Sequence, residues 1–182
     1  MPKKNPEILN KAEIDSIINA SMDDDFCYTL FTLAKYTGRR LGEYYNVRVK
    51  DIDFDKKIMM TLILKRRKHV EKEALLTDDC VRLLRQYITK QHLKLEDYVF
   101  RAVSYRQIQN LIKKYSIKAG IKKNVSFHNF RHYFITALVK ENWSYDKIAK
   151  LTGHTSIATL SRYDSAVASD IRKDAEISLA NI

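Results

Sequence analysis

Apolar residues in the first part of the chain recur every three or four positions, the spacing that predicts amphipathic helices. Helices are predicted over 11–19, 26–36 and 41–47. Asn10, with Glu13 three residues later, gives a capping-box pattern before the first helix, and Gly38 closes the second. Two prolines within residues 1–9 oppose helix, so an extended lead-in is expected there.

The pattern changes to a period of two after residue 50. The segment DIDFD alternates, KK predicts a turn, and the apolar run IMMTLIL predicts a strand that ends at Lys65. The segment EALLT, residues 73–77, is expected to supply another strand. Between these runs lies KRRKHVEK, from Lys65 to Lys72, which is predicted to be a basic loop. This part of the chain therefore predicts a small antiparallel sheet or hairpin.

Residues that typically start or end helices divide the rest of the chain. Helix starts are predicted at Thr77, Ser104, Ser126, Ser144 and Ser156, and helix ends at Gly120 and Gly153. Residues 168–182 place Ile171, Ala175 and Leu179 on one stripe and predict a C-terminal helix. The expected fold is mainly α, of the α+β class, with one small antiparallel sheet in a single domain over 1–182.

Charge is the first property that indicates a partner. Lys and Arg number 33 against 22 Asp and Glu, which gives a net charge of +11 and a pI near 9.6. This excess favours a nucleic-acid partner over a surface that is basic only for solubility. No apolar run reaches the ~18 residues of a membrane helix, and Cys27 and Cys80 lie in apolar helical patterns without disulfide or metal spacing. The chain is therefore expected to act in the cytoplasm.

Short motifs near the few glycines supply the candidate chemistry. They are TGRRLGE at 37–43, HNFRH at 128–132, LTGH at 151–154, and a tyrosine at 163. Each is weak alone, since Tyr163 is one of 11 tyrosines and His128 with Arg131 has the spacing of a solvated pair on a helix. His128 and His132 have the spacing of a metal pair, but Asn129 replaces the glutamate of a zinc protease and no third ligand is suggested. No metal site is predicted.

In this order the motifs resemble the catalytic domain of the tyrosine recombinases, over nearly all of the chain. The positions that match the family's catalytic residues are Arg40, Lys65, His128, Arg131, His154 and Tyr163. Two features depart from the family pattern. Arg39 stands where the family usually has an aliphatic residue, although the spacing after the Thr-Gly pair selects Arg40 as the catalytic arginine. The run KRRK begins at Lys65, so Lys68 is the alternative hairpin lysine.

The resemblance implies an attack on a DNA phosphodiester. Tyr163 would form a covalent 3′-phosphotyrosyl bond, which divides one difficult exchange into two reversible steps. Arg40, Arg131 and His154 would hold the non-bridging oxygens as charge collects on them in the transition state. Two cationic guanidiniums would thus replace a metal, and neither a metal ion nor ATP is expected as a cofactor.

The resemblance also assigns the proton transfers. Lys65 would act as the general acid for the departing 5′ oxygen, and His128 as the base for the Tyr163 proton. Glu43 would orient the arginines or a histidine without entering the chemistry.

The implied partner is double-stranded DNA. Contacts to its backbone are expected from Arg39, Arg66, Arg67, Lys68 and Lys72. Recombination would require a tetramer on two DNA sites, with the helix over 168–182 packed on its own subunit or, as the favoured option, on a neighbour. Family members usually carry a separate helical DNA-binding domain before the catalytic one, and this chain is expected to hold the catalytic domain alone. The alternatives are a type IB topoisomerase and a catalytically silent DNA-binding relative.

Overall fold

The computed structural model describes residues 8–65 and 68–153, together with Leu160 and Tyr163. The helices are α1 (Lys11–Ala20), α2 (Asp25–Thr37), α3 (Leu41–Tyr45), α4 (Asp78–Lys90), α5 (Tyr105–Lys118), α6 (His128–Lys140) and α7 (Tyr145–Thr152). The strands are β1 (Ile52–Asp53), β2 (Ile58–Lys65) and β3 (Lys68–Leu75), in the antiparallel order β1-β2-β3. A short 3-10 turn over Val49–Asp51 was not predicted. The predicted fold class, mainly helical with a small antiparallel sheet, is confirmed.

Two compact units divide the chain, Met1–Tyr133 and Phe134–Ile182. The first holds the sheet and α1 to α5, and the second holds α7. Among the described residues, no helix is both long and apolar enough to cross a membrane.

Local hydrogen bonds fix the helix ends. The Asn10 side chain accepts from the Glu13 N–H at 2.9 Å, and the Glu13 carboxylate accepts from the Asn10 N–H at 2.8 Å, so the predicted capping box is confirmed. Ser104 and Gln107 form the same reciprocal pair at the start of α5. Gly38 ends α2 in the left-handed conformation, with φ 58°. The first, second, fourth and fifth helices therefore lie close to their predicted positions.

Residues 68–72, which were predicted to be part of a basic loop, belong to a strand, and this corrects the prediction from sequence. β2 and β3 pair antiparallel with Lys65 opposite Lys68, so the segment from Lys68 onward belongs to β3. Arg66 and Arg67 lie outside the described residues. Backbone pairing satisfies N–H and C=O groups whatever the side chains, and β3 has a strand neighbour on one side only within the described sheet. Charged side chains are tolerated on such an edge.

An aromatic core holds the first unit together. Phe31 of α2 stacks on Phe130 with ring centroids 5.6 Å apart, and Tyr44 of α3 meets Phe127 edge-on at 5.8 Å. All four rings are buried. Burial of several aromatic side chains is worth several kcal/mol and fixes α3 against the start of α6. The two sequence motifs TGRRLGE and HNFR are thereby brought to one place.

A separate apolar cluster holds the second unit. It consists of Ile135, Ile148, Leu160 and Tyr163, all buried. α7 ends at Gly153, which has φ 71° as the predicted helix end requires. The helix start predicted at Ser156 and the helix predicted over 168–182 lie outside the described residues.

Candidate active site

The connection between α2 and α3 carries the two adjacent arginines. Gly38 turns the chain out of α2, and its N–H donates to the carbonyl of Ala34 at 3.1 Å. The Tyr44 hydroxyl lies 2.5 Å from the Thr37 hydroxyl and accepts from the backbone N–H of Arg39 at 3.3 Å. Burial raises the pKa of Tyr44, so this hydroxyl stays protonated. The phenol therefore ties both ends of the connection to the core.

Arg40 is partly exposed to solvent and forms an ion pair with Glu43. Its Nη1 donates to Oε1 of Glu43 at 2.9 Å, and its backbone N–H lies 3.4 Å from Oε2 of the same carboxylate. The Arg40 side chain is 42% exposed, whereas that of Glu43 is 4% exposed. A buried carboxylate thus fixes the guanidinium while leaving part of it open to solvent. The orienting role of Glu43 in catalysis stays a prediction.

Arg39 points inward. Its residue exposure is 1%, its Nη2 donates to the carbonyl of Glu73 in β3, and its Nη1 lies 3.9 Å from Oε2 of Glu43. Within the described residues its Nε and Nη1 have no hydrogen-bond partner. Burial lowers the pKa of Arg39, against the opposing attraction of Glu43. A side chain this buried does not reach a DNA backbone, so the structure argues against the DNA contact predicted for Arg39.

The start of α6 supplies the second pair of predicted residues. Arg131 is 1% exposed, and its Nη1 donates to the carbonyl of Gly38 at 2.9 Å. Arg131 is thereby anchored beside the Arg39–Arg40 segment. The predicted role of Arg40 and Arg131 at one phosphate stays a prediction. His128 is exposed on the same helix, and its ring lies 4.5 Å from that of His132. In the described part of the chain no group of three or more His, Cys, Asp or Glu residues could hold a metal ion.

A cavity of about 490 Å³ opens beside these residues. Its lining includes Arg39, Arg40, Tyr105, Gln109, Lys113 and His128. Positive side chains outnumber acidic ones on these walls, because the lining contains no Asp or Glu among the described residues. Such a cavity favours an anionic ligand.

Sequence reasoning missed the α5 wall of this cavity. Tyr105 has an exposed ring that meets Tyr45 edge-on at 5.7 Å, and Gln109 and Lys113 follow one and two turns along α5. The sequence identified α5 from its cap at Ser104, but it held no signal for the side of the helix that borders a cavity.

The predicted lysines of the hairpin are described mainly by their positions in β2 and β3. Lys65 is the last residue of β2 and pairs with Lys68, so both stand at the end of the hairpin. Lys72 is half-buried in β3, and its carbonyl accepts from the Thr61 hydroxyl at 2.8 Å. The choice between Lys65 and Lys68 stays a prediction.

The predicted nucleophile lies in the second unit. Tyr163 is 2% exposed, and its N–H donates to the carbonyl of Leu160 at 2.9 Å. His154 lies outside the described residues. The roles of both residues stay predictions.

Comparison with known proteins gives a consistent result. The phage integrase family matches residues 7–169 of the chain. A tyrosine recombinase of Pseudothermotoga lettingae is 29% identical over 161 residues, covering 87% of this chain and 56% of the relative. The tyrosine recombinase XerA of Pyrococcus furiosus is 26% identical over 97% of this chain and 63% of its own length. The chain thus spans less than two thirds of these relatives.

Solved structures agree in fold. The crystal structure of XerA recombinase has a TM-score of 0.78 and 28% identity, covering 96% of this chain and 65% of that one. A lambda integrase dimer bound to a COC′ core site has a TM-score of 0.70 and 18% identity, covering 90% of this chain and 49% of that one. At 18% identity the second likeness concerns the fold alone.

Proposed function

The chain belongs to the phage integrase family, and from this premise we propose that it carries the catalytic part of a site-specific DNA recombinase. It would cleave and rejoin DNA strands through a 3′-phosphotyrosyl intermediate at Tyr163. The observation that carries the proposal is the anchoring of Arg40 and Arg131 at one loop, beside a cavity whose lining includes cationic and no acidic residues among those described. DNA binding alone does not require two guanidiniums fixed in this way.

The arginines would act on the phosphate. Arg39 and Arg40 share the carboxylate of Glu43, and Arg131 is anchored on the Gly38 carbonyl beside them. A phosphodiester would add negative charge next to these three guanidiniums. Arg40, the most open of the three, and Arg131 would then hold the non-bridging oxygens, where negative charge increases in the transition state.

The chemical step is a transfer of the phosphoryl group to a phenol. The Tyr163 oxygen would attack phosphorus, the P–O5′ bond would break, and its electron pair would remain on O5′. His128 would take the phenol proton, and Lys65 would give a proton to O5′. Attack by the 5′-hydroxyl of another strand would reverse these transfers and release Tyr163. Because the bond energy is kept in the phosphotyrosine, no ATP is consumed.

Tyr163 must become accessible before it reacts. At 2% exposure among apolar neighbours, the phenol is sheltered from solvent. We propose that Tyr163 is released after DNA binds. Its burial before binding would prevent it from attacking phosphates outside the target site. His154 would join the arginines at the phosphate in the same assembled state.

The proposed partner is double-stranded DNA, contacted through the hairpin. Lys68 begins β3 and Lys72 lies farther along it. Arg66 and Arg67, which precede Lys68 in the sequence, would add further contacts. We further propose that four copies assemble on two DNA sites, with the segment 168–182 docked on a neighbouring copy. This activity would take place in the cytoplasm, on nucleoid DNA.

Covalent trapping tests the proposal. A nicked suicide substrate loses the short 5′-hydroxyl fragment after cleavage, so that the adduct accumulates; the substrates are candidate attachment sites and a random pool, in EDTA. The wild-type chain and the Tyr145→Phe control should form an adduct through a 3′-phosphotyrosine, and Tyr163→Phe should form none. Tyr145 is a suitable control because it packs against the same apolar cluster as Tyr163. An adduct that persists in Tyr163→Phe would exclude Tyr163 as the nucleophile.

A second readout separates recombination from simple nicking and closing. The trapped adduct is offered a partner strand with a free 5′-hydroxyl. Joining to the partner supports a recombinase, whereas relaxation of supercoiled DNA without any joining would favour a topoisomerase.

A further inference from the structure

Arg39 is an unusual residue for its position. The family pattern usually has an aliphatic side chain here, and the position is indeed interior, with 1% exposure. Burial of a guanidinium costs several kcal/mol unless hydrogen bonds and an opposite charge compensate. Glu43 supplies only distant compensation, at 3.9 Å from Nη1, and it is closer to Arg40 at 2.9 Å. Packing alone therefore does not account for an arginine at this position.

The hydrogen bond from Arg39 connects two parts of the site. Its Nη2 donates to the Glu73 carbonyl in β3, while its backbone continues directly into Arg40. Glu73 lies opposite Met60 in the hairpin, and the same two strands end at the pair Lys65–Lys68. The arginine loop and the hairpin are thus joined by a side chain that is shielded from water.

We propose that Arg39 is a positioning residue that sets the hairpin, and with it the general-acid lysine, relative to Arg40. The inference rests on the proposed function, in which a hairpin lysine protonates the departing 5′ oxygen. A strand pair is stiff along its length because hydrogen bonds connect the two strands from residue 58 to residue 75. A constraint at Glu73 therefore limits the movement of the hairpin end. An aliphatic side chain at position 39 has no donor for this carbonyl.

Two variants separate the bond from the packing. Arg39→Met keeps an unbranched, buried side chain and removes every donor. Arg39→Lys keeps one cationic donor that reaches toward Glu73 but lacks the planar fork that also approaches Glu43. Arg82→Met is the matched control, because Arg82 is an exposed arginine whose ion pair is with Asp79 on the surface of α4.

A 5′-bridging phosphorothiolate substrate supplies a readout that a merely structural role would not change. Sulfur leaves as a thiolate and needs no general acid, since a thiol is far more acidic than the 5′-hydroxyl that leaves from ordinary DNA. Arg39→Met should cleave ordinary DNA on the order of 100-fold more slowly, in the range that general acid catalysis contributes. On the sulfur substrate it should match the wild-type chain. Arg39→Lys should recover part of the loss on ordinary DNA.

The reference variants make the result decisive. The lysine that acts as the acid, Lys65 or Lys68, should show the same rescue by sulfur when changed to alanine, whereas Arg40→Ala should stay slow on both substrates. Arg39→Met that is equally slow on both substrates, or unchanged on both, would overturn the positioning role. A wild-type chain that forms no adduct on either substrate would instead count against the proposed function.

Hydrogen exchange tests the same inference without any activity. In the DNA-free chain, amides of β2 and β3 should exchange faster in Arg39→Met than in the wild-type chain, with Arg82→Met unchanged. Hairpin protection that is the same in all three chains would show that Arg39 does not constrain the hairpin. Circular dichroism of each variant checks that the rest of the fold is retained.

Discussion

Glu43 is expected to be the most costly single charge to remove from the described part of the site. The substitution Glu43→Gln keeps the shape and one acceptor, but it leaves Arg39 buried without its nearest carboxylate. At 3.9 Å and an effective dielectric constant of about 20, the lost attraction is about 4 kcal/mol. The pair with Arg40 adds at most about 1 kcal/mol, because that side chain is 42% exposed and screened by water. After relaxation of the site, a loss of about 3 kcal/mol in the free energy of unfolding is expected.

The control uses the same chemical change on the surface. Glu96→Gln removes a carboxylate that pairs with Arg48 and Lys50 and is itself 66% exposed, so it should cost far less than Glu43→Gln. Urea denaturation followed by far-ultraviolet circular dichroism measures both variants against the wild-type chain.

The double variant Arg39→Met, Glu43→Gln checks the assigned cause. Removing the buried cation together with its counter-ion should cost less than the sum of the two single changes, because neither charge is then left unpaired. A Glu43→Gln chain as stable as Glu96→Gln, or a double variant whose losses simply add, would refute the reasoning. The first result would mean that the buried charges do not interact appreciably, and the second that they act independently.

Three further predictions concern the phosphate site, the hairpin and the interior. Arg131→Met should slow covalent adduct formation on the order of 100-fold while circular dichroism stays native, as expected for the loss of one transition-state donor; an unchanged rate would remove Arg131 from the phosphate. Lys68→Ala and Lys72→Ala should each reduce the slope of log affinity against log salt concentration by about 0.9, measured by fluorescence anisotropy, and an unchanged slope would mean that the side chain does not contact a phosphate. Burial raises the pKa of the Cys27 thiol and the Tyr44 phenol above their ordinary values of 9.0 and 10.0, so the folded chain keeps protons that the unfolded chain releases above those values. The contribution of these two groups to the free energy of unfolding should therefore be fully present below about pH 9, and it should fall as the pH rises toward their raised pKa values in the folded chain. Urea midpoints that do not change between pH 8 and about pH 10.5 would contradict this.

Helix positions were predictable because the physics that sets them is local. Asn10 with Glu13, and Ser104 with Gln107, satisfy backbone groups within one turn, so a few consecutive residues specify the helix start. Gly38 similarly marks a helix end through its own conformational freedom. The order of the motifs was also enough to predict the family and the fold class.

The hairpin shows where a local pattern is insufficient. Lys68 to Lys72 has the composition of a solvated loop, yet it pairs with β2 as a strand. That pairing depends on the complementary strand and not on the charge of the paired residues. A strand on a sheet edge therefore carries a sequence that does not resemble a strand.

For this protein, the sequence by itself determined which residues are candidates for the chemistry, the mainly helical class and most helix ends. Only the tertiary structure decided that Arg39 lies inside while Arg40 stands open, and that Arg131 is anchored on Gly38. Only the tertiary structure placed Tyr105 of α5 beside the same cavity. The physical reason is that caps and turns depend on neighbours within a few residues, whereas burial and charge pairing depend on side chains that the fold brings together from distant parts of the chain.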